Sequence, residues 1–255
     1  MFKTRLFTDS FIMFKRNLTK TMRSPQSMVM AIIVPVVMMI LFGYVFGGIA
    51  NVGELSYINF IVPGIIVQCV TNASSATAIS LHNDMNKGII DRFRSMAIAK
   101  SAVISGHVWL SVIRSMVITA ITIGAAFVMG FRPNAGFSDW LMISAILTLF
   151  IVAVTWVAVV IGLLSADAES ISGGMFLLTI LTFLSSAFTP TYALPNVLRV
   201  FAQHQPMTPV IDAVRSLMLG VPANGAFLTA FLWCLGITLL AFVASVHIYK
   251  SKLTR

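Results

Sequence analysis

The residue types that most often carry out chemistry in proteins are few in this chain and widely spaced. Four histidines, His82, His107, His204 and His247, form no His-x-x-x-His pair and share no carboxylate cluster at metal-ligand spacing. No Gly-x-x-x-x-Gly-Lys-Ser/Thr segment is present that could cradle phosphates. We therefore expect no catalytic residue, no metal site and no bound cofactor in this chain. A membrane-embedded enzyme such as a lipid transferase is disfavoured for the same reason.

Two apolar segments nevertheless carry polar faces that could line a path for cargo. In one segment the polar residues fall within roughly a quarter of a helix circumference; in the other they follow i, i+4, i+7 spacing. The two sets are Gln68, Thr71, Asn72 and Ser75, and Thr182, Ser186 and Thr189. Such groups either tie helices together by hydrogen bonds or line a weakly polar path, and both interpretations stay open. An uncharged path suits amphipathic or lipid-like cargo better than inorganic ions.

Charge is almost absent from the apolar segments. Arg114 is the one charged residue inside them, and it either extends toward the inner headgroups or pairs within the membrane. A proton-driven carrier ordinarily places carboxylates at mid-membrane as its relay, and none lies there. An ATP-independent secondary carrier is therefore an alternative without a visible proton site. Cys69 and Cys234 also lie in apolar segments, where we expect free packing residues.

The composition indicates which elements must position these residues. Hydrophobic residues make up 58% of the chain and charged residues 10%, whereas a soluble domain is about a quarter charged. The sequence therefore predicts an all-α integral membrane protein, a single domain over residues 1–255. A spanning helix needs about 20 mostly apolar residues. Segments of that kind occur at 27–50, 58–81, 108–130, 140–163, 171–188 and 226–248, which predicts six transmembrane helices.

The basic residues predict how the spans are oriented. Thirteen Lys and Arg residues lie before the first predicted span, after the second or after the sixth, whereas Arg132, Arg199 and Arg215 lie on the opposite side. Basic residues concentrate in cytoplasmic loops, so both termini are predicted to be cytoplasmic in a multi-pass protein of the cell membrane. The net charge of +9 is thereby assigned to orientation and lipid headgroups, and no nucleic-acid partner is expected.

Outside the spans, the pattern predicts two sets of shorter helices. In residues 1–24, five large apolar residues recur every three or four positions, which is typical of an amphipathic helix in the headgroup layer. That helix either anchors the chain or also contacts a cytoplasmic partner. In residues 189–225, Thr208 as N-cap, Pro209 at the first position and Gly220 past the end predict a helix, with Asp212 and Arg215 spaced to pair. A second short helix is predicted near 195–201, and we expect both to enter the outer leaflet or lie between spans.

The cytoplasmic loop at 82–101 is the most charged part of the chain. Ile90, Phe93 and Ala97 fall on one helical face, so the loop is either a short amphipathic helix on the membrane surface or a solvated connector. Its residues 84–103 read Asp-Met-Asn-Lys-Gly-Ile-Ile-Asp-Arg-Phe-Arg-Ser-Met-Ala-Ile-Ala-Lys-Ser-Ala-Val. This run resembles the cytoplasmic loop of the type-2 ABC exporter permeases (the ABC-2 transporter family). It is most similar to the daunorubicin/doxorubicin-resistance branch.

A second stretch carries the same resemblance. Residues 183–220 contain Ser-Ser-Ala-Phe-Thr-Pro, Leu-Pro and Gln-Pro-Met-Thr-Pro segments, which resemble landmarks of the outer segment in that branch. Together with six spans and an amphipathic N-terminal helix, the resemblance covers essentially the whole chain. One departure is Ala97, which stands where the family commonly has proline.

The resemblance implies a permease subunit of an ATP-driven exporter of drug-like, hydrophobic or amphipathic compounds. Its partners would be a second permease copy or a sister permease, membrane lipids, and two copies of a cytoplasmic ABC ATP-binding subunit that holds ATP and Mg. A coupling helix at 87–96 would dock on that subunit through Lys87, Gly88, Asp91, Arg92, Phe93 and Arg94. The second and fifth spans would line the path at the dimer seam. Export of a lipid-linked glycan, a lipid or a peptide is the alternative within the family.

Overall fold

The computed structural model describes residues 12, 14–19, 25–47, 56–86, 100–223 and 225–253. Within these ranges all regular secondary structure is helical, which confirms the expected class for the described part of the chain. Its elements, in order, are α1 (Pro25–Ile40) running directly into a π-helix (Leu41–Phe46), α2 (Tyr57–Asn86), α3 (Lys100–Val128), α4 (Phe137–Leu164), α5 (Ala168–Phe183), a 3₁₀ turn (Thr191–Ala193), α6 (Asn196–His204), α7 (Met207–Leu219) and α8 (Ala226–Leu253).

Four of these helices are long and apolar enough to cross a membrane, by length and composition. They are α2, α3, α4 and α8, whose qualifying stretches run from 24 to 29 residues. Two further apolar helices, at 29–45 and 168–183, are shorter. They coincide with the first and fifth spans predicted from the sequence. The chain is therefore a multi-pass membrane protein in which four of the six predicted spans reach full length among the described residues.

Helix α2 lies at the centre of the bundle, where it packs against α1, α3, α4, α5 and α7. It has the lowest mean hydropathy of the four long helices, yet it is the most deeply buried. In a bilayer the apolar residues can face lipid, so the helix with the most polar groups is the one that the protein itself must surround. Helix α8 is the opposite case, since large side chains such as Leu240 and Val243 are exposed there. This helix packs mainly against α4.

Two glycines allow helices to approach one another closely. A Cβ added at Gly64 of α2 would lie 2.6 Å from both Cα and Cβ of Ala187, and one added at Gly162 of α4 would lie 2.7 Å from the carbonyl oxygen of Ala78. Both distances are shorter than real Cβ atoms show. Small residues at such crossings let backbones pack directly in membrane proteins. Gly64 thus fixes the turn that follows α5 against the central helix.

Several helix boundaries differ from the apolar segments. Helix α2 continues to Asn86 rather than ending at 81, so it includes the first residues of the predicted loop at 82–101. Helix α3 begins at Lys100, eight residues before the predicted 108, and α5 ends at Phe183 rather than at 188. Hydropathy locates the membrane core, whereas a helix continues beyond it wherever its backbone hydrogen bonds do. After α5 the chain turns at 184–188, where the Ser185 hydroxyl donates to the Thr182 carbonyl and accepts from the Ala187 N–H. This local bonding ends the fifth helix early.

Helix α5 begins at a side-chain cap that its sequence supplies. The Asp167 carboxylate accepts a hydrogen bond of 2.8 Å from the backbone N–H of Ser170. Such a cap satisfies one of the unpaired N–H groups in the first turn. The same bond is the main cause that lowers the pKa of Asp167 below its ordinary value of 3.8, because it favours the charged form.

The two short helices lie where the turn residues predicted them, with one change. Helix α7 ends at Gly220, whose φ of +70° suits a C-terminal glycine. It begins at Met207, before Thr208, and the buried Thr208 hydroxyl has no hydrogen-bond partner among the described residues. The predicted Thr208 cap is therefore wrong. Helix α7 is buried against α2, α4 and α8, whereas α6 is mostly exposed, so burial between longer helices holds for α7 alone.

Candidate functional site

The polar face of α2 divides into a buried half and an open half. Gln68 and Thr71 are buried, and the Thr71 hydroxyl donates to the carbonyl of Val67 one turn earlier. Asn72 is exposed and Ser75 is half-buried. The Asn72 side-chain oxygen accepts a 3.0 Å hydrogen bond from the Thr179 hydroxyl of α5. This bond joins α2 to α5 through Thr179, a residue that is not among those predicted from the sequence.

The predicted polar residues of the fifth span serve different neighbours. Thr182 is buried and donates to the carbonyl of Leu178 within its own helix. Ser186 is also buried and donates to Asp212 of α7 at 2.6 Å. Thr189 is exposed beyond the turn. The structure therefore does not bring this set together with Asn72 and Ser75 around one space.

A cavity of about 340 Å³ lies between α1, α2 and α3. Asn72 and Ser75 form part of its wall, and so does Arg114 of α3. The remaining lining is apolar or weakly polar: Met30, Ala31, Val34, Pro35, Cys69, Ala73, Ala76, Ile79 and Ile118. Pockets that bind small molecules usually combine mostly apolar walls with a few placed polar groups. This space has that composition.

Arg114 sits at the middle of α3, fourteen residues from Lys100 and fourteen from Val128. Its guanidinium donates to the carbonyl oxygen of Ala73 and, at 3.4 Å, to the Thr77 hydroxyl, both on α2. The structure thus favours bonding inside the bundle over extension to the headgroups. A charged residue inside a spanning helix is costly and often marks a functional site, so Arg114 is a candidate for function.

The hydrogen bonds of Arg114 to α2 do not use all of its N–H donors. Its buried Nε–H has no hydrogen-bond partner among the described residues, and none of their carboxylates lies within ion-pair distance. An orphaned buried donor costs about 1–3 kcal/mol. The sequence marked Arg114 as the lone charge in an apolar run, but no sequence signal points to a backbone carbonyl as its partner.

A second arginine, Arg215, bonds to α2 near its first turn. Arg215 of α7 is buried; its Nε donates to the Phe60 carbonyl at 3.1 Å and its Nη2 to the Ser186 carbonyl at 2.6 Å. Its Nη1 lies 2.7 Å from Asp212, which confirms the predicted pair. The guanidinium also stands 4.0 Å from the centre of the Phe60 ring. One side chain thereby ties α7 to α2 and to the turn after α5.

The opposite end of α2 carries a buried carboxylate. Asp84 lies two residues before the helix ends, and its Oδ2 is 3.3 Å from Arg16 Nη1 of the helical segment 14–19. His107 Nε2 of α3 lies 3.3 Å from the same oxygen without forming a hydrogen bond. Asp84 therefore joins three segments: the one before α1, the end of α2 and the first part of α3. The sequence placed it only in the predicted cytoplasmic loop at 82–101.

The predicted partner-coupling residues lie between these helices. Lys87, Gly88, Asp91, Arg92, Phe93 and Arg94 all fall within 87–99, outside the described residues. The structure does place the two ends of this segment, since α2 ends at Asn86 and α3 begins at Lys100. The contact between Asp84 and His107 therefore lies close to both ends of the predicted coupling loop.

Comparisons with known proteins give a consistent picture. The sequence model of the ABC-2 type transporter family matches residues 8–219. A daunorubicin resistance ABC transporter permease protein of Streptomyces coeruleorubidus is 28% identical over 226 residues, covering 88% of this chain and 77% of that protein. A probable doxorubicin resistance ABC transporter permease protein of Mycobacterium tuberculosis is 25% identical over 252 residues, covering 98% and 91%. An inner membrane transport permease of Escherichia coli is 26% identical over 204 residues, covering 76% and 77%.

The family model thus covers most of the chain, including the central helix, the cavity and the buried arginine of α7. The relatives are permeases by name and match over three quarters or more of both sequences. The helical architecture agrees with that similarity. This chain belongs to the ABC-2 type transporter family.

Proposed function

We propose that this chain is the transmembrane permease subunit of an ATP-driven ABC exporter that moves hydrophobic or amphipathic, drug-like compounds out of the cell. The family match over residues 8–219 is the observation that carries this proposal. The names of two relatives refer to daunorubicin and doxorubicin resistance, which supports drug-like cargo. Because this sequence holds no phosphate-binding motif, ATP and Mg belong to two copies of a cytoplasmic ABC ATP-binding subunit.

Six spans and cytoplasmic termini complete this proposal. Helices α2, α3, α4 and α8 supply four spans. Helix α1 has 16 residues and continues without a break into a π-helix of 6, which together reach spanning length. Helix α5 has 16 residues and supplies the fifth span together with the turn at 184–188. The excess of basic residues on one side of the spans supports cytoplasmic termini and a cytoplasmic segment 87–99.

The packing of α2 suggests how work reaches the cargo path. In this proposal the ATP-binding subunits close on ATP and move the coupling segment 87–99, which connects α2 to α3. The 3.3 Å contact between Asp84 and His107 links the end of α2 to the first part of α3, and in this proposal the two helices move together. Since α2 contacts five other helices, a displacement of its inner end is transmitted through the bundle. Two-state closure of a partner is a common source of such motion.

Cargo would pass along the open part of the α2 face. Asn72 and Ser75 border the cavity. The hydroxyls of Thr71, Thr182 and Ser186 instead donate hydrogen bonds within the protein. A second permease copy, or a sister permease, would close the path at the dimer seam. The weakly polar lining supports hydrophobic or amphipathic cargo, and transport assays with a lipid-linked glycan or a peptide would test the alternative.

The test combines a coupling variant with a matched control at the other end of the spans. The double variant Phe93→Ala/Arg94→Ala removes the apolar anchor and one charge from the coupling loop. With the ATP-binding subunit in proteoliposomes, we expect it to lower ATP-driven export at least about tenfold, as loss of interface hot spots does. The control Arg132→Ala/Phe137→Ala alters an exposed pair of the same types. Equal export and ATP turnover in the wild type and the coupling variant would refute the assignment.

A further inference from the structure

The cavity between α1, α2 and α3 has a wall with one unsatisfied charge. Apolar side chains, among them Val34, Ile79 and Ile118, form most of the lining. Arg114 adds a guanidinium, and Asn72 adds an amide. No carboxylate lines the cavity among the described residues. The volume of about 340 Å³ lies at the lower end of the range for small-molecule pockets, about 300–1,000 Å³.

The bonding of Arg114 indicates what is missing from this space. A guanidinium has five N–H donors, and the described structure uses one nitrogen, Nη2, for both of its bonds to α2. The buried Nε–H is without an acceptor among the described residues. Nothing there supplies a negative charge either, since no described carboxylate lies within 4 Å of the guanidinium. An anionic group in the cavity would supply the missing negative charge and would accept from Nη1, which makes no bond to the described residues.

The apolar part of the wall indicates the rest of the ligand. Met30 and Val34 of α1 are exposed although they line the cavity, so the space opens beside α1. A small inorganic anion would leave this apolar lining uncovered, whereas an acyl or alkyl chain would cover it. A cationic amphiphile would fit the apolar lining, but it would face the Arg114 charge without a compensating carboxylate.

We propose that the cavity binds one anionic amphiphile, with its phosphate or carboxylate at Arg114 and its apolar chain along α1 and Ile118. Binding depends on the cavity alone and needs no ATP-binding subunit. That the occupant is the exported compound rests on the proposed function. The occupant is otherwise an acidic lipid of the bilayer, which offers the same chemistry.

Binding is measured on the full chain in nanodiscs of phosphatidylcholine, with radiolabelled dodecyl phosphate as the probe. We expect saturable binding of one probe per chain. Arg114→Gln should weaken it at least about tenfold, because a charge-assisted hydrogen bond is lost. Ala76→Phe fills the cavity without altering Arg114 and should also abolish binding, which keeps the test informative if the arginine variant does not fold. Arg132→Gln removes an exposed arginine elsewhere and should bind as wild type does.

Competition identifies the chemistry and the source of the ligand. Inorganic phosphate and dodecyltrimethylammonium should compete at least about tenfold more weakly than dodecyl phosphate. Equal competition by either would overturn the proposal, as would unchanged binding to the Ala76→Phe variant. Displacement by phosphatidylglycerol in the nanodisc would assign the site to a bilayer lipid, whereas retained binding would assign it to a single-chain ligand. Because no ATP-binding subunit is present, failure of ATP-driven export would leave these results unchanged.

Discussion

Arg215→Met removes the side chain that joins α7 to the rest of the bundle. Methionine keeps an unbranched apolar stem of similar length but donates no hydrogen bond. The change leaves the Phe60 and Ser186 carbonyls without their guanidinium donors, and it leaves Asp212 with the Ser186 hydroxyl but no cation. It also removes the cation from the face of the Phe60 ring. The effect should therefore be large, although Arg215 does not line the cavity.

The burial of the Arg215–Asp212 pair sets the expected loss in the free energy of unfolding. Breaking a buried ion pair by removing one partner costs about 3–5 kcal/mol. Arg215 is 8% exposed and Asp212 is 40% exposed, so the pair is only partly buried and the lower end applies, about 3 kcal/mol. For a chain of this size, about 1 kcal/mol shifts the midpoint of thermal unfolding by roughly 2–4 °C. We expect Arg215→Met to lower that midpoint by about 6–12 °C.

Thermal unfolding in detergent, followed by tryptophan fluorescence, measures this shift. Arg199→Met is the matched control, because the bonds of Arg199 to the described residues stay within its own peripheral segment, to the carbonyls of Tyr192 and Leu194. It should shift the midpoint by no more than about 3 °C. Adding Asp212→Leu to Arg215→Met should restore part of the loss, since no unpaired charge remains. About 1 kcal/mol corresponds to roughly 2–4 °C here. If the Arg215→Met midpoint lay within about 2 °C of the Arg199→Met midpoint, the contacts of Arg215 would not stabilise the bundle as argued.

Three further variants test other contacts. Gly64→Leu places a side chain against the Ala187 backbone and should abolish the yield of folded protein on size-exclusion chromatography, whereas Gly236→Leu, with open space around it, should not. Asp84→Asn removes the charge that holds the helical segment before α1, so hydrogen exchange of that segment should accelerate while that of α4 stays unchanged. Asp167 has a pKa below 3.8 in the folded chain, so its cap stabilises α5 at neutral pH and is lost as the pH falls through that lowered pKa. Asp167→Ala should therefore speed exchange in the first turn of α5 at pH 7, and a variant that exchanges as wild type does there would contradict the cap.

The helical class and the principal apolar helices followed from composition and the length of apolar runs. The local pair Asp212–Arg215 and the end of α7 at Gly220 were also predictable, because both depend on residues a few positions apart. Helix ends were less predictable. Hydropathy located the membrane core of α3 but not its start at Lys100.

The contacts of Arg114 and Asp84 could not be predicted from the sequence. Arg114 bonds to a backbone carbonyl, which every residue possesses and no sequence pattern marks. Asp84 contacts Arg16 and His107, which lie 68 and 23 positions away, so their proximity depends on how three helical segments pack. The division of the polar face of α2 into buried and open halves has the same origin, because the packing of neighbouring helices determines which polar side chains are buried.

In the proposed mechanism, this chain moves cargo only when a separate ATP-binding subunit supplies the work. The most direct test compares proteoliposomes that contain the chain alone with proteoliposomes that also contain a cognate ABC ATP-binding subunit. Movement of a fluorescent amphiphile is followed with ATP and Mg, without ATP, and under a pH gradient. Our account predicts movement only when the subunit, ATP and Mg are all present. Movement by the chain alone, or under the pH gradient without ATP, would contradict it.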